Sequence, residues 1–168
     1  MKIEKEYKYT ENIEKVLEKM KTLESYKIIK MKRAVFDVKG KKGWMRLRLE
    51  SDKTTLTIKE EQDDGFCLEE EVIVSDFDKM LSILEYINSK PRAVQENIRH
   101  EAFMDGCQIC YDEWPKIKPY VEIEFESDQD LTKVEDYFGL KAESRSTLTV
   151  SDMYKMMDVD IKNTSISF

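Results

Sequence analysis

The sequence has 168 residues, 40% of them hydrophobic and 38% charged, which is enough apolar material for one folded domain covering residues 1–168. Its 28 Lys and Arg residues against 35 Asp and Glu give a formal net charge of -7, which argues against sequence-independent binding of nucleic acid and leaves a local basic site open. No apolar run approaches the roughly 20 residues of a membrane-spanning helix, and the first residues, MKIEKEYKY, lack the apolar core of a secretion signal, so we expect a soluble cytoplasmic protein with no membrane partner.

Alternation of polar and apolar residues with a period of two predicts most of the strands. The predicted strands are residues 2–9, 29–37, 44–50, 55–61, 68–74, 107–112 and 120–125. Turns are predicted at residues 39–43, 63–65 and 105–106, and the last two contain Asp-Gly pairs typical of hairpins.

Apolar residues at helical spacing predict helices between these strands. The first helix presents Ile13, Val16, Leu17, Met20 and Leu23 on one face, and the second presents Phe77, Met80, Leu81, Leu84 and Ile87, with Ser75 as its N-cap. A third helix covers residues 128–138 and ends at Gly139, and a short fourth follows Ser151. Strands in short succession with helices in the connections indicate an α+β protein built on an antiparallel sheet that is closed or nearly closed.

Several predicted strands carry charges of a single sign on one face. The like-charged pairs are Arg46 with Arg48, Glu69 with Glu71, and Glu122 with Glu124. Such a face could meet water, as it does in many half-buried antiparallel sheets. A solvated face usually mixes Lys and Glu within each strand, so the segregated signs also fit strands that face one another across a charged interior. The residues alone leave both interpretations open.

The N-terminal strand carries Glu4, Glu6 and Lys8 on one face. Two carboxylates spaced in this way can share the coordination of Mg²⁺ or Mn²⁺, and the lysine offers a point charge to a phosphate. Alternating Glu and Lys is also common on exposed strands, so this motif has little weight by itself.

The order of the later elements resembles the CYTH, or triphosphate tunnel, family from Lys2 to about Met156. After the Glu-x-Glu-x-Lys strand, the matching elements are Arg46-Leu47-Arg48, a strand containing Lys59, Glu69-Glu70-Glu71, a segment around Arg99, and Glu122-Ile123-Glu124. Many relatives have Lys or Arg two residues before the position of Arg99, where this chain has Asn97, so one phosphate contact is expected to be missing.

The resemblance implies an eight-stranded antiparallel β-barrel, open as a tunnel, with helices packed outside. It assigns Mg²⁺ or Mn²⁺ to Glu4, Glu6, Glu122 and Glu124, with Glu69 and Glu71 as supporting acidic residues. It assigns the phosphates of a substrate to Lys8, Arg46, Arg48, Lys59 and Arg99, and to Arg145 in the last element; Lys8, Arg48 and Lys59 are the candidate catalytic residues. The resemblance also allows a homodimer.

Three functions are compatible with such a site. The first is a divalent-metal-dependent hydrolase of a small triphosphate compound, such as inorganic triphosphate, thiamine triphosphate or a nucleoside triphosphate. The second is an adenylyl cyclase of the class IV type, in which a ribose hydroxyl attacks the α-phosphate of ATP. The third is a non-catalytic module that binds polyphosphate.

A rival zinc site would use Cys67, Cys107, Cys110 and His100. We do not favour it, because residues 107 and 110 lie three apart in a predicted strand and face opposite ways. Three cysteines are also an odd number for a disulfide framework. His100 should point to the face opposite Arg99 and serve a structural role.

Overall fold

The computed structural model describes residues 2–38, 43–63, 66–88, 90–161 and 164–168. Its strands are β1 (Lys2–Glu4), β2 (Glu6–Tyr9), β3 (Lys27–Asp37), β4 (Trp44–Glu50), β5 (Lys53–Glu61), β6 (Cys67–Val74), β7 (Ala93–Met104), β8 (Cys107–Glu113) and β9 (Tyr120–Glu124). Its α-helices are α1 (Ile13–Met20), α2 (Phe77–Asn88), α3 (Asp128–Phe138) and α4 (Val150–Lys155). The predicted turns at 39–43 and 63–65 lie largely outside the described residues. The α+β class and the antiparallel sheet are confirmed.

The strands form one sheet in the order β1-β6-β5-β4-β3-β7-β8-β9-β2, and every neighbouring pair is antiparallel. The predicted strand count of eight becomes nine, because the N-terminal strand is interrupted at Lys5. Residues before Lys5 pair with β6, whereas residues after it pair with β9. The two ends of the strand order are therefore consecutive in the chain. The backbone N–H of Phe125 donates to the carbonyl of Lys5 at 3.0 Å.

The sheet has one face rich in charged residues and an opposite face rich in apolar residues. The apolar side chains pack against the helices. The largest cluster joins α1 and α3 to β7, β8 and β9 through Ile13, Val16, Met20, Leu131, Val134, Phe138, Ala102, Ile109, Val121 and Ile123. A second cluster lies under α2 and contains Phe36, Leu47 and Phe77. Burying these side chains removes apolar surface from water and fixes the orientation of the polar face.

The predicted helices are confirmed with three local corrections, the first being that α1 ends at Met20, so that Leu23 lies beyond it. Gly139 ends α3 in the left-handed conformation, with φ 75°. The N-cap of α2 is Asp76 instead of Ser75, because a carboxylate oxygen of Asp76 accepts the backbone N–H of Lys79 at 2.9 Å. Ile87 is 68% exposed and does not share the packed face of α2.

The C-terminal segment covers one part of the sheet. Tyr154 of α4 is fully buried and packs with Trp114, Tyr120, Ile161 and Ile166. Among the described residues, no helix combines the length and apolar character required to cross a membrane.

Candidate functional site

A cavity of about 540 Å³ is lined by alternate residues of all nine strands and by part of the C-terminal segment. The charged faces predicted from the sequence form this lining. Of the predicted site residues, the cavity contains Glu4, Glu6, Lys8, Arg46, Arg48, Lys59, Glu69, Glu71, Arg99, Glu122 and Glu124. The charged side chains therefore face one another across an internal space.

One side of the cavity is organised by two buried lysines, each held between carboxylates. Lys8 forms ion pairs with Glu6, its neighbour along β2, and with Glu122 of β9 at 3.2 Å. Burial alone would lower the pKa of Lys8, but Glu122 and Glu6 raise it, so the ammonium form is favoured. Lys59 of β5 contacts Glu4 and lies 2.7 Å from Glu69. The two lysines thus form ion pairs with carboxylates from strands at both ends of the strand order.

The carboxylates on this side of the cavity outnumber the lysines. The excess of negative charge affects the pKa values of the glutamates. Burial would raise the pKa of Glu122, but Lys8 and Arg99 hold it below its usual range. Burial raises the pKa of Glu6, and the charge of Glu122 adds to the effect. Glu124 lies directly opposite Glu6 in the β2–β9 register, and burial, followed by the charges of Glu4 and Glu122, raises its pKa to about 7.

These carboxylates have the donor chemistry that Mg²⁺ or Mn²⁺ requires, since both ions prefer hard oxygen ligands. A bound cation would also relieve the repulsion that raises the pKa of Glu124. Within the described ranges, no three His, Cys, Asp or Glu side chains converge as a preformed metal site. Lys8 and Lys59 contact carboxylate oxygens that a cation would otherwise use.

Arginines of β3, β4 and β7 supply positive charge to the same cavity. Arg99 is held by a forked ion pair: its Nε donates to one oxygen of Asp112 at 2.8 Å and its Nη2 to the other at 2.6 Å. The same Nη2 lies 3.0 Å from Glu122. Asp112 is fully buried and was not among the predicted site residues.

Arg48 is less fully neutralised than Arg99. It forms ion pairs with Glu50 at 2.7 Å and Glu71 at 3.5 Å, and Glu71 also accepts the hydroxyl of Thr57 at 2.8 Å. Burial, followed by the charge of Arg46, lowers the pKa of Arg48 to about 10. Glu71 contacts the arginine, and Glu69 contacts Lys59, as expected for supporting acidic residues.

Four arginines that line the cavity have a buried Nε–H without a hydrogen-bond partner among the described residues: Arg33, Arg46, Arg48 and Arg92. Arg48 and Arg92 each form an ion pair with a carboxylate, whereas Arg33 and Arg46 form none within the described part of the chain. Arg46 was predicted from the Arg-x-Arg pattern, whereas Arg33 was not. Arg33 shares its face of β3 with the apolar residues Met31 and Val35, which conceals the alternation. The one available signal was Lys27, a second cation on that face.

Arg145 lies apart from this set and is not among the residues that line the cavity. Its Nε and Nη2 donate to the two carboxylate oxygens of Glu135 at 2.7 and 2.6 Å. Glu135 also accepts the hydroxyl of Tyr9 at 2.6 Å, and the Arg145 guanidinium lies 5.4 Å from the ring centre of Tyr7. The contacts of Arg145 join α3 and β2 outside the cavity.

The residues of the rival zinc site are not brought together. Cys107 belongs to the outer apolar cluster, and Cys110, three residues further along β8, lies on the opposite face. His100 faces away from Arg99, as predicted, and its ring nitrogens bond to Tyr26 at 2.7 Å and Glu113 at 2.8 Å.

Comparison with known proteins identifies the family that the order of motifs resembles. The sequence profile of the CYTH domain matches residues 2–150. Among curated proteins, none gives a significant match.

Solved structures share the architecture at low sequence identity. A conserved hypothetical protein from Pyrococcus furiosus superposes with a TM-score of 0.73 and 22% identity, over 89% of this chain and 99% of that one. A proposed adenylate cyclase from Vibrio parahaemolyticus gives 0.71 and 16%, over 92% and 98% of the two chains. A proposed adenylate cyclase from Bacillus halodurans gives 0.59 and 16%, over 83% and 91%. At such identities the likeness concerns the fold alone.

Proposed function

This chain belongs to the CYTH domain family, and from that premise we propose that it is a divalent-metal-dependent hydrolase of a small triphosphate compound held in a closed tunnel. The family includes triphosphatases and adenylyl cyclases. Closure of the sheet into a tunnel is supported by the N-terminal strand, since its two halves pair with the opposite ends of the strand order and are separated only by Lys5. A sheet joined in this way encloses the space between its charged faces.

The observation that carries the proposal is that one cavity contains both an arginine with an unpartnered N–H group and a glutamate surrounded by like charges. The guanidinium of Arg46 has a buried N–H without a partner within the described residues. Across the cavity, Glu124 sits among like charges that raise its pKa to about 7. A triphosphate with a divalent cation supplies both missing partners, because its oxygens accept from arginine and its cation binds carboxylates.

The proposed roles follow from the contacts in the cavity. Arg46 and Arg48 bind phosphate oxygens through forked hydrogen bonds, Arg99 binds them through the guanidinium N–H groups that Asp112 leaves free, and Lys8 and Lys59 add point charges. The candidate metal ligands are Glu4, Glu6, Glu122 and Glu124. A bound Mg²⁺ or Mn²⁺ would neutralise phosphate charge and lower the pKa of a coordinated water. Glu69 and Glu71 hold Lys59 and Arg48 in place.

In the proposed reaction, water attacks the terminal phosphorus and gives up a proton to the solvent, the bond from that phosphorus to the bridging oxygen breaks, and the remaining diphosphate leaves with the bond electrons. The chain's residues contribute position and charge rather than a covalent intermediate. Arginines that already line the cavity stabilise the charge that develops on the leaving oxygens. Removing one such donor typically lowers the rate by about 10²–10³-fold.

The test is phosphate release from inorganic triphosphate, thiamine triphosphate and ATP, with Mg²⁺, Mn²⁺ or EDTA, together with detection of cyclic AMP in the ATP reaction. We expect metal-dependent phosphate release that Arg48→Gln and Glu6→Gln each reduce by about 100-fold or more. Lys30→Gln is the matched control, since Lys30 lies on the exposed outer face of β3. Cyclic AMP with pyrophosphate would instead establish a cyclase, and tight triphosphate binding without turnover would establish a binding module.

A further inference from the structure

Arg33 is a buried cation whose contacts do not neutralise it. The residue is 8% exposed, and its guanidinium lies 4.6 Å from the ring centre of Trp114. Its Nη2 contacts the sulfur of Met31 at 3.3 Å and donates to the side-chain oxygen of Asn97. Both acceptors are neutral, and among the described residues no carboxylate forms an ion pair with Arg33. A buried charge left in this state is costly unless another group compensates it.

The neighbours of Arg33 make this cost larger. In the register of β3 and β4, Arg33 lies directly opposite Arg48, and like charges in that position repel. Burial, followed by the charges of Arg46 and Arg48, lowers the pKa of Arg33 to about 9. The arrangement therefore has an excess of positive charge at a position that also lines the cavity.

Asn97 connects Arg33 to the other arginine system. While its oxygen accepts from Arg33, its Nδ2 donates to Asp112 at 3.2 Å, and Asp112 holds Arg99 in a forked ion pair. A lysine at position 97 would place an ammonium group against the guanidinium of Arg33. A neutral amide is the side chain that can accept from one neighbour and donate to the other.

We propose that Arg33 is a further phosphate-binding residue of the cavity and that Asn97 orients it, so that β3 supplies the positive charge that residue 97 of β7 lacks. The inference rests on the proposed function. The buried Nε–H of Arg33, which has no partner within the described part of the chain, donates to a phosphate oxygen, and the phosphate charge offsets the repulsion between Arg33 and Arg48. Stacking on Trp114 limits the motion of the guanidinium plane, which favours a forked contact.

A purely structural role for Arg33 makes a different prediction. If its function were to pack on Trp114 and bond to Asn97, its removal would destabilise the ligand-free protein and leave phosphate affinity unchanged. If Arg33 binds phosphate, replacing it with a neutral residue removes repulsion in the ligand-free protein and weakens the complex. Ligand-free stability and ligand affinity therefore separate the two roles.

The experiment is calorimetric titration of tripolyphosphate in EDTA, with melting curves, on the wild type, Arg33→Gln, Arg33→Lys, Asn97→Lys and the double variant Arg33→Gln/Asn97→Lys. We expect Arg33→Gln to weaken binding by about 10- to 100-fold without lowering the ligand-free melting temperature. Arg33→Lys keeps the charge but loses the fork, and its affinity should be intermediate. Lys30→Gln is again the control and should bind as the wild type does.

The double variant distinguishes the two roles of Arg33 most clearly. Asn97→Lys alone should weaken binding, because its ammonium displaces Arg33, whereas the double variant should recover at least half of the binding free energy lost by Arg33→Gln. Such recovery is a coupling between neighbours that independent structural effects do not produce. Unchanged affinity in both Arg33→Gln and Arg33→Lys would overturn the inference alone. If the wild type binds tripolyphosphate neither in EDTA nor with Mg²⁺, the proposed function and the inference are overturned together.

Discussion

The buried charged side chains of the cavity are neutralised unequally by their neighbours among the described residues. Lys8 and Lys59 each contact two carboxylates, and Arg99 contacts Asp112 and Glu122. Breaking a buried pair of this kind usually costs several kcal/mol, because one charge remains without compensation. Arg33 and Glu124, by contrast, form no ion pair within the described residues. These are the positions at which an added anion or cation should have its largest effect.

Glu124 should make the metal-free protein less stable as the pH rises. Its folded-state pKa of about 7 lies above the ordinary value of 4.5, so its contribution is fully present below about pH 4.5 and is lost as the pH rises through 7. Glu124→Gln should therefore match the wild type near pH 4 and exceed its unfolding free energy by about 2 kcal/mol at pH 8, since one pKa unit is worth about 1.4 kcal/mol and partial exposure reduces the full value.

Urea denaturation in EDTA at the two pH values measures this difference. Millimolar Mg²⁺ at pH 8 should then stabilise the wild type more than the variant, because the cation binds the ionised carboxylate. An equal effect of Glu124→Gln at both pH values would show that the carboxyl does not take up a proton in this range.

Arg145 should matter for stability instead of ligand binding. Arg145→Met removes two charged hydrogen bonds to Glu135, whose carboxylate is largely buried, and should cost about 2 kcal/mol of unfolding free energy. Glu135→Gln is the matched variant on the other side of the pair. The affinity of both for tripolyphosphate should equal that of the wild type by calorimetry. A tenfold loss of affinity in Arg145→Met alone would return Arg145 to the phosphate-binding set.

Elements defined by local signals could be predicted from the sequence almost to the residue. The bounds of β4 and α3 match the prediction, because a strict alternation marks the strand and Gly139 marks the end of the helix. The longest strand, β7, was represented only by a segment around Arg99. Along β7, neutral polar residues, charged residues and Phe103 share one face, so neither face has a uniform character.

Features that depend on strand partners could not be predicted in this way. The break at Lys5 changes the partner of the N-terminal strand from β6 to β9, and the local sequence shows no Gly or Pro there. Arg33 was missed because its role depends on Asn97 and Arg48 in neighbouring strands. The order of motifs located eleven other residues of the cavity lining, since alternation fixes the face to which each side chain points.

The C-terminal element should stabilise the protein through one buried tyrosine. Tyr154 of α4 is fully buried, packs on Trp114 with ring centres 6.4 Å apart, and donates its hydroxyl to the carbonyl of Pro115. Tyr154→Ala should lower the unfolding free energy by about 3–5 kcal/mol, as for other large aromatic residues in cores. Met156→Ala, two residues later and 72% exposed in the wild type, is the control. Equal urea midpoints for the two variants would mean that α4 does not contribute to the core.

The net charge of the whole molecule and the local charge of the cavity have opposite effects on anions. The formal charge of -7 repels polyanions such as nucleic acid at long range. Inside the cavity, arginines of β3, β4 and β7 are concentrated where solvent screening is weak, so a small anion meets a locally positive surface. Glu122 lies 3.0 Å from Arg99, so a cation bound by this carboxylate would lie near an anion bound by the arginine.

Two ligands of opposite charge in one cavity should stabilise each other's binding. In melting curves, a non-hydrolysable imido analogue of triphosphate in EDTA and Mg²⁺ alone should each raise the melting temperature, because each offsets one excess of charge. Together they should raise it by about 3–10 °C beyond the sum, which corresponds to a coupling free energy of about 1–3 kcal/mol in a protein of this size. The analogue and Mg²⁺ also bind each other in solution, so their free concentrations are calculated from the stability constant of that complex. Orthophosphate with Mg²⁺ at matched ionic strength is the control. Purely additive shifts would mean that anion and cation bind at separate places, which would contradict a single charged tunnel.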